Sequence, residues 1–298
     1  MRALSRRGQL VRQGLLLLVA LFVLAPIWVL FLMATDGSTT GYPETFHLWP
    51  QQFTLDRFAD ALRSDFVDSG FAGLVWNSLV VAGRAALISV AFGATMAYAF
   101  ARLRFPGNRV GLVAILLGAF LPPIALGLPL FVLAITIDKN VPDTILHAIG
   151  FPDGVRDSTL TLTLLYATFT LPLTIWLMRA AFRAVPADLE ASAFVDGASR
   201  FTAFRRITLP LAMPSILVAA LVSFLLAYSE FALAWLFIES EKNATLAMVL
   251  AMETTGFYTA NWGLTAAYGL LMAIPVVIVF VVLQRFLLRG ALAGALDD

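Results

Sequence analysis

The sequence contains no cysteine among its 298 residues and only two histidines, His47 and His147. Without cysteine there are no disulfides, thiol nucleophiles or cysteine-ligated metals. Two histidines a hundred residues apart offer little material for a histidine-based metal site or proton relay. Charged residues make up only 13% of the chain, about half the usual share in a soluble protein. The net charge of +1 indicates no basic surface, so we expect no nucleic-acid partner.

Catalytic motifs are also missing. The sequence has no Walker A loop, no G-x-S-x-G turn and no H-E-x-x-H pair. We therefore predict that the chain is not an enzyme, has no catalytic or metal-ligating residues and binds no cofactor of its own. If it moves a solute uphill, the energy comes from an ion gradient or from another subunit.

Apolar residues, by contrast, make up 60% of the sequence, and the mean hydropathy is +0.87. They form six long runs, at 14–34, 74–101, 110–137, 160–179, 209–238 and 262–288. About 20 apolar residues suffice for a helix to cross the bilayer, and lipid offers the backbone no hydrogen-bond partners. We predict an all-α bundle of six transmembrane helices. The first run follows a basic start and exceeds the 7–15 residues or so of a signal-peptide core, so we interpret it as a retained span, with a cleaved signal as the alternative.

Arginine placement predicts the orientation of these spans. If the amino terminus is cytoplasmic, fourteen of the twenty basic residues lie in cytoplasmic segments, five lie outside, and Arg84 lies within the second span. Cytoplasmic loops of membrane proteins are enriched in lysine and arginine. We therefore expect both termini to be cytoplasmic.

The segment 185–208, between the fourth and fifth spans, is longer than a simple connection. Pro186 suits the first position of a short helix, and Gly197 permits a sharp turn into a second one. We predict two short helices joined by this glycine. From the residues alone, they form either a knob that docks on a partner or an amphipathic helix that lies on lipid.

A sequence pattern at this position favours the knob. Asp196 opens the phrase DGAS, and Gly197 is followed after nine residues by Ile207 and then by Leu209 and Pro210. This pattern resembles the EAA loop of ABC-importer permeases. The stretch AYAFARLRFPG at 97–107 and the triplet WNS at 76–78 are similar to the same family, most of all to the smaller membrane subunit of maltose-type importers. The resemblance covers the whole chain and implies one permease domain, 1–298, with the coupling loop at 185–208.

One position departs from the family pattern. The glutamate of EAA stands six residues before the glycine, and here that residue is Ala191. Glu190 lies one position earlier, and Ser192 and Ala193 take the two small positions. A shift of one residue rotates a side chain by about 100° around the helix. The carboxylate contact that the family makes with its ATPase is therefore in doubt, whereas the shape of the knob is retained.

The resemblance implies an assembly and a mechanism. The partners would be a second permease subunit, two ATPase subunits that hold ATP and Mg²⁺, an extracytoplasmic sugar-binding protein and the lipid bilayer. The expected location is the plasma membrane of a bacterial or archaeal cell. The residues expected to couple the chain to the ATPase are Glu190, Ala191, Ser192, Ala193, Asp196, Gly197, Ile207, Leu209 and Pro210.

Two further groups are candidates for contact with substrate or binding protein. Arg84 and Glu230 are charged residues within spans, which commonly face a cavity. For Arg84 the alternative is a structural role, by snorkelling or pairing. Phe257, Tyr258 and Trp262 lie in an outer loop that reaches the binding protein in similar sugar transporters. The alternative there is an apolar segment lying at the membrane interface.

Two other classes of membrane protein fit the sequence less well. A secondary transporter driven by an ion gradient usually shows inverted repeats and mid-membrane ionisable clusters, and this sequence shows neither. A membrane-embedded enzyme lacks a catalytic cluster. Within ABC importers, the solute is predicted to be an oligosaccharide or related sugar, with a polyol or glycerol phosphate as the alternative.

Overall fold

The computed structural model of the chain is helical. It describes residues 6–38, 47–63, 70–152, 154–253 and 261–295, with the backbone alone for 6 and 285–295. Within these ranges the only extended pairing outside helices is an isolated bridge between Asp36 and Phe53. The prediction of an all-α fold is confirmed.

Fourteen α-helices account for most of the described residues. In order, α1 to α7 are Arg6–Thr35, Asp56–Leu62, Gly70–Arg102, Asn108–Gly118, Pro123–Asn140, Asp143–Ala148 and Thr159–Ala184. Next, α8 to α14 are Ala187–Val195, Arg200–Ala203, Leu209–Leu211, Met213–Ser229, Ala232–Phe237, Leu246–Glu253 and Trp262–Ala295. A turn of π-helix, Phe204–Thr208, joins α9 to α10.

Five helices, α1, α3, α5, α7 and α14, are long and apolar enough to cross a membrane. A sixth span results if Arg200–Leu211 and Met213–Ser229, which meet at 77°, are counted as one bent element. The predicted six spans are thus the upper count. The first, second, fourth and sixth predicted runs each correspond to one continuous helix.

The predicted runs 110–137 and 209–238 are wrong as single helices. The first breaks between α4 and α5, because Pro122 is extended (ψ 128°) and Pro123 occupies the first turn of α5. Proline lacks the N–H that a continuous helix needs. The second run bends at Ala212 and breaks again at Glu230, whose ψ is 127°. Apolar composition alone does not reveal either break.

The chain divides into two compact units. The larger one comprises Phe66–Met248 and Pro275–Asp298, and its core is the packing of α3, α7 and α11. Buried hydroxyls join these three helices: Ser89 Oγ lies 2.7 Å from Thr170 Oγ1, to which Ser223 Oγ donates at 2.9 Å. Such bonds and small residues at interfaces hold membrane helices together where hydrophobic burial gives little driving force.

The smaller unit comprises Met1–Asp65 and Val249–Ile274. A hydrogen-bond network in this unit is centred on the carboxylate of Asp36, the residue that follows α1. Asp36 accepts hydrogen bonds from the backbone N–H groups of Ser38, Gln51 and Gln52 and from the Ser38 hydroxyl. Burial alone would raise the pKa of Asp36, but these hydrogen bonds outweigh it and lower the pKa to about 2. Asp36 therefore fastens the segment 47–54 to the end of α1.

We predict that Asp36→Ala speeds hydrogen exchange of the Gln51 and Gln52 amides, because both lose their acceptor. Asp60→Ala, which removes an exposed carboxylate from α2, is the control and should leave these amides unchanged. Because the pKa of Asp36 is depressed, its stabilisation is complete above its ordinary value of 3.8 and is lost as pH falls towards about 2. Exchange mass spectrometry at neutral pH checks the first effect; equal protection in both variants would contradict it.

Candidate functional site: the loop between α7 and α11

The loop contains the two short helices that the sequence predicts. Helix α8 ends at Val195, and Gly197 turns the chain with a φ of +84° before α9 begins. A Cβ added at Gly197 would meet nothing within 4 Å. Glycine is therefore needed at this position for its left-handed backbone conformation, and not because a side chain would lack space. The Ser199 side chain accepts from Thr202 N–H at 3.2 Å and caps α9. From α9 the chain runs helically, through the π turn, into α10.

The central feature of the loop is the carboxylate of Glu190, which is buried. It forms an ion pair with Arg102 Nε at 3.2 Å and accepts hydrogen bonds from Tyr98 Oη at 3.4 Å and from Thr208 Oγ1. Arg102 also donates from Nη2 to the carbonyl of Val185, the residue that follows α7, at 2.6 Å. One carboxylate thus joins α8 to α3 and to the π turn.

Sequence reasoning missed three members of this network. Tyr98 and Arg102 lie one turn apart on α3, and Thr208 lies between the family positions Ile207 and Leu209. Their separation from Glu190 along the chain, 92, 88 and 18 residues, leaves no local signal. The one indication was the acid Glu190, directly before the position of the expected glutamate.

The one-residue shift therefore has a clear structural outcome. Glu190 faces the interior of the protein, whereas Ala191, Ser192 and Asp196 are exposed. Ala193, Ile207 and Leu209 are half-buried, and Pro210 is exposed. The carboxylate of Glu190 is occupied within the chain, so the exposed face of α8 presents no glutamate at the family position.

The exposed end of the loop carries two large apolar side chains among polar ones such as Asp196 and Arg200. Val195 is 88% exposed and Phe201 is 68% exposed, on either side of the turn at Gly197. Phe204, further along, packs inward with its ring centroid 4.7 Å from that of Tyr98. The loop is anchored on one side and offers an uncovered apolar tip on the other.

The two charged candidates within spans do not pair. Arg84 lies on the exposed face of α3, and among the described residues it forms no ion pair with Glu230. The Glu230 carboxylate accepts from the N–H groups of Ala232 (3.0 Å) and Leu233 (3.1 Å), and so caps α12. The Glu230 carbonyl accepts from Tyr166 Oη at 3.2 Å. Glu230 thus holds the break between α11 and α12.

At the opposite end of α3, the WNS triplet holds the segment before α13. Asn77 Nδ2 donates to the carbonyls of Lys242 (2.8 Å) and Ala244 (3.0 Å), and Ser78 Oγ accepts from Leu246 N–H at 2.8 Å. Of the binding-protein candidates, Trp262 begins α14, where Asn261 caps the helix by accepting from Leu264 N–H at 3.1 Å. Phe257 and Tyr258 lie outside the described residues.

A cavity of about 630 Å³ opens among α3, α11 and α14. Its lining includes Leu87, Val90, Met213, Phe224 and Val279, and Thr95 has the only polar side chain among the described lining residues. A sugar site needs several convergent polar groups. The described part of this cavity does not supply them.

Comparison with known proteins settles the family. Residues 89–291 match the family described as "Binding-protein-dependent transport system inner membrane component". The matched segment includes the loop between α7 and α11. The chain belongs to this family.

Curated relatives align over nearly the whole chain. The trehalose transport system permease protein SugB of Mycobacterium tuberculosis is 33% identical over 281 residues, 94% of each chain. The diacetylchitobiose uptake system permease protein DasC of Streptomyces coelicolor is 34% identical and covers 93% of this chain and 94% of its own. The maltose/maltodextrin transport system permease protein MalG of Escherichia coli is 31% identical over 93% of each. The resemblance predicted from the sequence is confirmed.

Solved structures share the fold. A chain of a bacterial ABC transporter for the acidic polysaccharide alginate superposes with a TM-score of 0.64 at 20% identity, covering 96% of this chain and 99% of its own. In a second structure, the alginate transporter in complex with a pentasaccharide-bound periplasmic protein, the TM-score is 0.60 at 16% identity, with 94% of each chain covered. Together with the family match and the apolar helices, this identifies the chain as an inner-membrane permease component with several spans.

The Glu190 network makes a prediction about stability. Glu190→Ala leaves Arg102 and Thr208 without their buried acceptor, and breaking a buried ion pair costs roughly 3–5 kcal/mol. We expect a lower thermal midpoint for the purified chain in detergent and faster hydrogen exchange across α8. Glu190→Gln should lose less, because its side chain still accepts from Thr208.

Two further variants make this test specific. Asp188→Ala removes an exposed acid from the same helix and should leave the midpoint unchanged. The double variant Glu190→Met with Arg102→Met removes both charges and should recover part of the loss. Equal midpoints for Glu190→Ala and Asp188→Ala would show that the ion pair does not hold the loop.

Proposed function

We propose that the chain is the permease subunit of a binding-protein-dependent ABC importer that carries an oligosaccharide or related carbohydrate into the cytoplasm. The observation that carries this proposal is the loop between α7 and α11. It combines the family's pattern with a knob that is fastened to the helix core at Glu190 and uncovered at Val195 and Phe201. Mechanical coupling requires an element that is rigid on one side and free to dock on the other.

The proposed contact with the ATPase depends on the shape of the loop and on its exposed apolar side chains. The loop tip would sit in a cleft on an ATPase subunit, with ATP and Mg²⁺ bound there and not on this chain. Since Ala191 replaces the family glutamate and Glu190 is occupied by Arg102, we infer that Phe201 and Val195 supply most of the docking energy. Burying an exposed phenylalanine side chain contributes about 1.5–3 kcal/mol.

The orientation and the remaining partners follow from the same proposal. The loop and both termini would face the cytoplasm, as the arginine distribution predicts. A second permease subunit would complete the membrane pore, and a sugar-binding protein would deliver substrate at the opposite side. Relatives named for trehalose, diacetylchitobiose and maltodextrin transport support a carbohydrate as the solute. The apolar lining of the large cavity suggests that the second permease holds most of the substrate contacts.

The experiment that tests this function uses the whole complex, with both permeases, the ATPase subunits and the binding protein reconstituted in vesicles. Loaded binding protein should stimulate ATP hydrolysis, and the stimulating solute identifies the substrate among sugars, polyols and glycerol phosphate. Stimulation by a polyol or glycerol phosphate alone would overturn the sugar assignment. Solute accumulation by this chain without ATP would overturn the importer assignment.

Gly197 provides a specific test of coupling. A β-branched residue at φ +84° strains the turn, whereas asparagine tolerates left-handed backbone. We expect Gly197→Val to abolish most of the ATP hydrolysis that loaded binding protein stimulates, while membrane levels of the chain stay normal. Gly197→Asn, the matched control, should retain most of it. A valine variant that transports and hydrolyses like wild type would contradict the coupling role.

Substitutions of Glu230 test whether its carboxylate takes part in transport. Glu230→Gln retains one acceptor for the cap on α12, whereas Glu230→Ala retains none. If the carboxylate charge acts in transport, the glutamine variant should lose uptake at unchanged thermal midpoint, and the alanine variant should lose both. Normal uptake by Glu230→Gln would leave Glu230 with the capping role alone.

A further inference from the structure

A second cavity, of about 430 Å³, lies between α4 and α7. Three arginines line it, together with one amide, one indole and three aliphatic side chains: Arg109, Arg179, Arg183, Asn108, Trp176, Leu112, Val113 and Leu116. The family pattern and the proposed coupling mechanism leave this site without a role.

Each of the two helices presents one face to the cavity, and that face carries both arginine and apolar side chains. On α4, positions 109, 112, 113 and 116 share one face, and on α7 positions 176, 179 and 183 do so. From Arg109 to Leu116 on α4, and from Arg183 to Trp176 on α7, the helix rises about 10 Å. In both directions the wall changes from cationic to apolar. The cavity is therefore amphipathic, with a basic end (the basic mouth) and an apolar end.

The basic mouth has no ion-pair partner among the described residues. The ion pairs of Arg102 and Arg156 lie elsewhere, and none found in the described part of the chain involves the three arginines of the cavity. Arg179 is positioned by donation from Nε to the carbonyl of Phe100 at 3.3 Å, which leaves its outer N–H groups to other acceptors. Arg179 and Arg183 stand four residues apart on one helix, a spacing at which like charges repel. A bound anion would relieve this repulsion.

We propose that this cavity binds an anionic phospholipid. The phosphate would lie among Arg109, Arg179 and Arg183, and an acyl chain would run along Leu112, Leu116 and Trp176. In the orientation proposed above, the basic mouth lies at the cytoplasmic surface, where anionic lipids attract basic pockets between helices. A soluble phosphate would use the arginines but not the apolar wall, and the wall therefore selects a lipid. The proposal depends on the chain's orientation in the membrane and not on ATPase coupling.

Native mass spectrometry of the full chain in detergent tests this inference. Phosphatidylglycerol and phosphatidylcholine with identical acyl chains serve as probes. We expect wild type to retain phosphatidylglycerol in preference to phosphatidylcholine. The triple variant Arg109→Gln, Arg179→Gln, Arg183→Gln should bind phosphatidylglycerol about 100-fold more weakly, since each arginine near an anionic surface contributes about a factor of five.

A matched control variant tests whether lipid binding depends on the cavity arginines or on the total positive charge of the chain. Arg7→Gln, Arg12→Gln, Arg104→Gln removes three exposed arginines that do not line the cavity and should bind as wild type does. Arg183→Gln alone, at an exposed position that folding tolerates, should lose about fivefold. Equal phosphatidylglycerol retention by wild type and the triple variant, or no preference over phosphatidylcholine in wild type, would overturn the proposal.

Two further measurements distinguish a bound lipid from a bound soluble phosphate. Phosphatidylglycerol with brominated acyl chains should quench tryptophan fluorescence less in Trp176→Phe than in wild type. Glycerol 3-phosphate should not displace the lipid at millimolar concentration. Displacement by glycerol 3-phosphate would identify a soluble-anion site, and equal quenching in both proteins would place the acyl chain away from Trp176. Either result would overturn the assignment of a lipid to this cavity.

Discussion

The buried ion pair between Glu190 and Arg102 is the interaction on which the proposed coupling depends. Burying a carboxylate is costly unless it is paired and hydrogen-bonded, and here three donors from two other segments satisfy it. Because Arg102 also binds the carbonyl of Val185, which directly follows α7, the same side chains fix α3, the end of α7, α8 and the π turn at one point. The tip of the loop can then be uncovered without being loosely attached.

Composition and pattern predicted the class of the protein from the sequence. Continuous apolar runs specify helices in lipid, and the spacing of Gly197, Ile207 and Pro210 specifies the family, because both are local features of the chain. The breaks at Pro122 and Glu230 were not predicted as helix ends. Both breaks lie within apolar sequence, so mean hydropathy does not show them. The proline pair at 122–123 is a local signal for the first break, whereas the break at Glu230 is visible only in backbone geometry and capping.

The partners of Glu190 could not be predicted for a different reason. Tyr98 and Arg102 become neighbours of the loop only after α3 and α7 have packed, and no spacing rule relates residues about 90 positions apart. The same holds for the cavity between α4 and α7. The sequence shows Arg109 and Arg183 as ordinary helix-end arginines, and tertiary packing brings them to one cavity.

The bend of 77° at Ala212 has a geometric consequence for how the loop is joined to the core. A displacement directed along the axis of Arg200–Leu211 is nearly perpendicular to the axis of Met213–Ser229. Such a displacement would therefore reach α11 as a sideways tilt of its near end, with little sliding along its own length. Tilting opens or narrows the space beside a helix, whereas the depth of the helix in the bilayer stays nearly constant. The apolar surface of α11 would therefore remain in hydrocarbon during such a movement.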